Sequence, residues 1–231
     1  MGTLWAVHIS DNLLQWPWWV GGFAVTAFLG WLGGRRLEDE EIPRIAVLSS
    51  AFFVASSLIH VRTLVASVHL LLNGLVGVIL GPRAALAIPV GVLLQALLFN
   101  HGGLTTVGIN SCVMTLPALG AWLAFAAARR RGWLSDPLRQ WAVGLGVGGL
   151  TVLATVTLNA LVLWLGGQES WSTLVMAVFV AHLPVVAVEA LVMGATVSFL
   201  ARVKPEILGL HRPAAPPALP AEPDAVERQA G

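Results

Sequence analysis

Seven long stretches of this 231-residue chain carry almost no charge, and they dictate what it can become. They run at about 16–34, 43–60, 64–80, 83–99, 104–128, 141–165 and 171–201, and apart from Arg44 and Arg83 at two of their ends, Glu189 is the only charged side chain in them. About 20 apolar residues in a helix cross the hydrocarbon of a bilayer. Lipid offers no partner to a backbone N–H or C=O, so a spanning segment must satisfy both within itself, as a helix does. Residues 43–80 as one helix would be about 57 Å long, nearly twice a hydrocarbon core of about 30 Å. The second and third stretches are therefore divided near Arg62. The expected fold is all-α, a polytopic membrane bundle of about seven transmembrane helices.

Composition bears on which functions remain open. Apolar residues make up 57% and charged residues 11%, where a soluble domain carries about a quarter charged. A net charge of +1 implies no basic surface for nucleic acid, and one cysteine, Cys112, excludes an intrachain disulfide framework. Trp5, Trp16, Trp18, Trp19, Trp133, Trp141, Trp164 and Trp171 flank the apolar stretches, as amphipathic indoles do at the headgroup level. No Lys or Arg precedes the first stretch, so it is read as a span and not a cleaved signal peptide. There is no GxxxxGK[ST] loop, HExxH or GxSxG, which argues against P-loop ATP hydrolysis, zincin proteolysis and nucleophile-elbow hydrolysis.

Basic residues set the orientation. With seven spans and the N-terminus outside, twelve of the thirteen Lys and Arg fall inside, and Arg62 alone outside. This predicts an extracellular N-terminal segment over 1–15, a bundle over 16–208, and a disordered cytoplasmic tail over 209–231. The run Glu38–Glu41 is expected to be a solvated loop.

On this topology His8, His60, His69 and His101 gather on the outer side, with His69 in the first two turns of the third span. His182 lies two or three turns into the seventh span and His211 in the tail. Imidazole suits Ni, Cu, Zn and Co ions, although a lone loop histidine is more often plain surface. His182 and Glu189 are seven residues apart and share a helix face, with Pro184 between them. An intramembrane carboxylate invites a functional reading. The pair could relay protons or form a polar strut, and the strut is the favoured reading. Gly22, Thr26, Gly30 and Gly34 form a small-residue stripe that could pack inside the bundle or dock a partner subunit.

Several of these residues resemble one family. His8-Ile9-Ser10-Asp11, the run Ser67-Val68-His69-Leu70-Leu71-Leu72-Asn73-Gly74 through Gly81, and the block Leu94–Phe99 with Gly102-Gly103-Leu104-Thr105-Thr106 and Gly108-Ile109-Asn110 are similar to the CbiM/NikM family. Glu189-Ala190-Leu191 through Lys204-Pro205-Glu206 fits as well, and the likeness spans roughly 8–208. The family comprises substrate-binding membrane subunits of energy-coupling-factor importers for cobalt and nickel. The resemblance implies a multi-pass protein of the cell membrane that is not an enzyme. It implies Co²⁺ or Ni²⁺ as transported substrate and no cofactor. Its partners would be the lipid bilayer, a membrane coupling (T) subunit and cytoplasmic ATPase subunits, supplying corrin or nickel-enzyme synthesis. The glycine stripe would meet the coupling subunit.

By the same resemblance, an N-terminal plug supplies the metal with a histidine, its backbone nitrogen and the terminal amine, and a third-span histidine completes the set. Those histidines match His8 and His69. Here six residues and Val7 precede His8, so the amine cannot sit beside it unless the extension is removed. Substitution by His60 or His101, or less readily Asp11, is the favoured reading. Asn12 stands where a glycine is usual. Asn110, His182 and Glu189 are further functional candidates. Capture is expected to weaken as pH falls through the imidazole range, because protonated imidazole binds no metal. The alternatives are a relative with an altered or lost metal site acting as a scaffold, and a proton-coupled secondary transporter using His182 and Glu189. A haem protein is a weaker rival, since only His69 and His182 are partly placed to be axial ligands.

Overall fold

The computed structural model describes residues 8–58, 60–62, 67–169 and 172–210. Trp5, Trp171, His211 and the tail beyond it lie outside these residues. The order is α1 (Trp16–Gly34), α2 (Ile42–Leu58), β1 (His60–Arg62), β2 (Ser67–His69), α3 (Asn73–Leu80), α4 (Ala84–Phe99), α5 (Val107–Arg130), α6 (Pro137–Gly166) and α7 (Ser172–Val203). Short 3₁₀ turns cover Asp39–Glu41, Gly81–Arg83 and Pro205–Leu208. By length and composition, four of the described helical segments can cross a membrane: Asn73–Phe99, Val107–Arg130, Pro137–Gly166 and Val175–Val203. The first of these joins α3 and α4 through the turn at Gly81–Arg83. The chain is a multi-pass membrane protein.

The helices begin where local chemistry allows. Pro137 opens α6, where a missing N–H is harmless. Asp136 precedes it and accepts from the Arg139 backbone N–H at 3.0 Å. Side chains are distributed as lipid demands. Trp16, Phe28, Trp31, Leu150, Trp164, Met176 and Phe199 point outward, while Asn73, Gln95, Asn110, Ser111, Thr155, His182 and Glu189 are buried. One core packs Phe52 of α2 and Val92 of α4 against Met114 of α5, Val152 of α6 and Val185 of α7.

The small-residue stripe on α1 is turned toward this chain's own helices. A Cβ on Gly22 would come within 2.5 Å of the Ile109 amide nitrogen, and Thr26 donates to the Gly108 carbonyl at 2.7 Å. Gly30 and Gly34 lie beside Ala85 and Leu86 of α4. Gly22 and Thr26 thus pack inside the bundle, while Gly30 and Gly34 are only partly covered by α4.

The expected third span is corrected more deeply. Helix α3 starts at Asn73, nine residues later than expected, and residues 60–62 and 67–69 pair antiparallel with His60 opposite His69. His69 is therefore on a strand and not in the first turns of a helix. The physical reason lies at the junction. The Leu71 and Leu72 amides donate to the carboxylate of Glu189, and Leu72 adopts a left-handed backbone with φ of 53°. A helix cannot continue back through amides that are held elsewhere.

The longer helices run between two ends of the molecule, and the eight-residue α3 starts beside Glu189, midway along α7. At one end lie the N-terminal segment, the hairpin and the α4–α5 loop. At the other lie Arg44, Arg83 and Arg129. These are called the histidine end and the arginine end.

Candidate functional site

Residues 8–15 form a segment seated in the histidine end. Ile9 and Leu14 are 1% and 2% exposed. The Ile9 peptide is gripped by one side-chain amide: its N–H donates to Asn110 Oδ1 at 2.9 Å, and Asn110 Nδ2 donates to its carbonyl at 2.9 Å. The Thr106 hydroxyl donates to the same carbonyl at 2.6 Å. Asp11 accepts from the Leu104 and Thr105 amides at 3.2 and 2.9 Å and from the Thr105 hydroxyl. Gly103 is needed beneath it, because any Cβ there would collide with Asp11. At Asn12 the backbone turns left-handed, with φ of 64°. Asparagine tolerates that region better than most residues, so it can do the work of the usual glycine. The Gln15 N–H then donates to Gly166 O, and Gln168 N–H to Leu13 O, both at 2.9 Å.

This seating brings three imidazoles together. The His8 and His69 rings stack with centroids 5.3 Å apart and planes 7° from parallel. His101 meets both edge-on, at 5.2 and 5.1 Å. His8 and His69 are 4% and 1% exposed. His101 is placed by the end of α4, where Asn100 turns left-handed and the His101 N–H donates to the Gln95 carbonyl. His69 Nδ1 lies 2.9 Å from the Leu70 carbonyl oxygen. That bond favours the tautomer with the proton on Nδ1 and the lone pair on Nε2.

The spacing suits a shared ion. A metal about 2.1 Å from each ring nitrogen, with ligands at tetrahedral angles, would hold imidazole centroids roughly 5 Å apart. Among the described residues no three His, Cys, Asp or Glu side chains already stand in metal-ligand geometry. Lone pairs lie in the ring planes, so the His8 and His69 rings, stacked face to face, come to aim at one point when one of them turns.

The other candidates fall elsewhere. The hairpin register sets His60 opposite His69, and its side chain lies outside the described residues. Asp11 does not join the cluster, because it ties the N-terminal segment to the 104–105 loop. His182 is buried on α7, with Nδ1 2.6 Å from its own helix's Val178 carbonyl, and its Nε2 has no hydrogen-bond partner among the described residues. Glu189 meets backbone amides, as a strut would. Thr106, Gln95 and Asn73 escaped the sequence reading as individual sites. Asn73 is fully buried and donates to the Met114 carbonyl and the Thr155 hydroxyl, both at 2.9 Å. The signal for Asn73 and Gln95 was available: an isolated amide in an apolar stretch must find a partner inside the bundle.

Known proteins resemble the chain along most of its length. A family model described as the cobalt uptake substrate-specific transmembrane region, CbiM, matches residues 8–207. A protein of Haemophilus influenzae named for metal transport is 36% identical, over 87% of this chain and 97% of its own. The cobalt transport protein CbiM of Sorangium cellulosum is 31% identical, over 87% of this chain and 94% of its own. Among solved structures, a transition metal transporter shares the fold with a TM-score of 0.68 at 22% identity, covering 85% of this chain and 93% of that one.

Proposed function

The chain belongs to the CbiM family of cobalt-uptake substrate-specific transmembrane regions, and on that premise we propose that it captures Co²⁺ or Ni²⁺ between His8, His69 and His101. One observation carries the reading: three imidazoles from three separate segments stand 5.1 to 5.3 Å apart, inside a seat built by Asn110, Thr106 and Asp11. His101 takes the place that a terminal amine would otherwise fill. Neutral imidazole is a ligand these ions accept readily.

The histidine end faces outward and the arginine end faces the cytoplasm, since twelve of thirteen basic residues then lie inside. The apolar segments act as seven spans: α1, α2, the hairpin region with α3, α4, α5, α6 and α7. Ion capture takes place at the outer face. Coupling and ATPase subunits supply the energy for release, as the resemblance of its motifs to those of energy-coupling-factor importers implies.

Calorimetric titration of the purified chain with Ni²⁺ and Co²⁺ tests the site. One ion should bind per chain. His8→Ala, His69→Ala and His101→Ala should each weaken binding by about tenfold to a hundredfold or more, in line with the loss of a metal ligand or its support. Unchanged affinity in His101→Ala would remove it from the ligand set, and unchanged affinity in all three would end the reading.

A further inference from the structure

Glu189 is a carboxylate in an apolar helix, 5% exposed, far in sequence from the histidines. Its contacts lead back to them through a single peptide group. The Leu71 N–H donates to Glu189 Oε1, and the Leu72 N–H donates to Oε1 and Oε2 at 2.9 and 3.0 Å. The Leu71 N–H belongs to the same peptide plane as the Leu70 carbonyl. That carbonyl oxygen is the atom 2.9 Å from His69 Nδ1. In a trans peptide the N–H and C=O point in opposite directions. One rigid plane therefore faces Glu189 on one side and His69 on the other.

Histidines that bind metals commonly donate their second ring nitrogen to a carboxylate or carbonyl, which fixes the tautomer and the ring orientation. Here the acceptor is a carbonyl whose own amide is anchored by a buried carboxylate. Hydrogen bonds in such a chain polarise one another, so the carboxylate makes the carbonyl a stronger acceptor. The junction also depends on it sterically. Leu72 sits left-handed with φ of 53°, a conformation that disfavours a Cβ-bearing residue, and the anchored amides hold it there. Leu71 between them is fully buried.

We infer that Glu189 is a positioning residue for metal capture: through the Leu70–Leu71 peptide it sets the tautomer and direction of the His69 ring. It ties the ligand-bearing hairpin to α7, which runs on to the arginine end. This rests on the metal-site reading above, and the experiment separates the two.

The full-length chain in detergent is titrated with Co²⁺, recording the dissociation constant and the visible ligand-field absorption. Glu189→Met keeps the volume and removes both acceptors in a bundle that tolerates apolar side chains. It should bind about 10- to 100-fold more weakly, the range for lost outer-shell support, with a shifted absorption band. Glu189→Gln keeps one acceptor oxygen and should fall between Met and wild type. Wild-type affinity and spectrum in Glu189→Met overturn the inference, as does weaker binding with an unshifted band, which would mark a merely structural role. Should Glu189→Met fail to fold, Glu189→Gln decides by the same criteria. If His69→Ala itself binds Co²⁺ like wild type, the underlying metal-site reading falls and this inference falls with it.

Discussion

The two ends of the bundle solve opposite problems with opposite chemistry. At the histidine end, chain segments arrive with exposed backbone N–H groups, and acceptor side chains meet them. Asp11 takes the Leu104 and Thr105 amides, Asn110 the Ile9 amide, and Glu189 the Leu71 and Leu72 amides. At the arginine end, finished helices and turns leave carbonyls without partners, and guanidinium groups meet those. Arg83 donates to the Gly33, Arg35 and Arg36 carbonyls, Arg44 to Ile79 and Ile207, and Arg129 to Leu208. Helix C-termini collect partial negative charge, which cations complement. The arginines that the proposed orientation places on the cytoplasmic side thus also cap its helices. The acceptors at the other end are mostly neutral or anionic, so they can support a cation site without repelling its ion.

This contrast predicts that damage at one end is read in binding and damage at the other in stability. The largest effect is expected from Asn110→Ala, which orphans the buried Ile9 N–H. An unpartnered buried donor costs about 1–3 kcal/mol, so if the seat loosens by that amount, metal affinity falls about tenfold to a hundredfold. Calorimetry giving a wild-type dissociation constant would show that the N-terminal segment is held by something other than this grip.

Arg83→Ala should do the reverse. Removing three carbonyl caps is expected to lower the unfolding free energy by about 1–2 kcal/mol, with metal affinity unchanged. A thermal melt in detergent alongside a Co²⁺ titration checks both halves, and a loss of affinity would break the separation of the ends.

The smallest effect concerns the ion pair of Arg83 with Glu41, 2.8 Å long. The Arg83 hydrogen bond, with help from the Glu38 amide, holds the Glu41 carboxyl below the ordinary carboxylate range. A carboxylate depressed in the folded state stabilises it above the unfolded value, near 4.3, and loses that contribution as pH falls through the folded value. Wild type and Glu41→Gln should therefore differ slightly in melting temperature at neutral pH and converge in acid. A difference that persists at pH 3 would assign the effect to something other than this carboxylate.

Much of the helical plan could be read in advance, because apolar stretches bounded by prolines and charges leave a bilayer little choice. The first stretch matched α1 at Trp16–Gly34, and α4 through α7 start and stop within a few residues of the expected spans. The third span failed for a reason no local window contains. Its first turns are undone by Glu189, more than a hundred residues away. Glu38–Glu41, read as a plain solvated loop, supplies a capping box and the Arg83 partner. His8 and His69 were candidates through resemblance, and the structure stacks their rings. His101 entered only as one of several substitutes, and the left-handed turn at Asn100 brings its ring against that pair. Asp11 was the weaker candidate from sequence, and in the structure its oxygens face the Leu104 and Thr105 amides.

The seating of residues 8–15 also sets an order on biosynthesis. A ribosome makes the N-terminal segment first, yet the Asn110 amide that grips Ile9 comes 101 residues later, and Gly166, which receives the Gln15 N–H, later still. Residues 8–15 must therefore wait through the translation of six helices before their whole berth exists, and a segment made before all of them is among the last to dock.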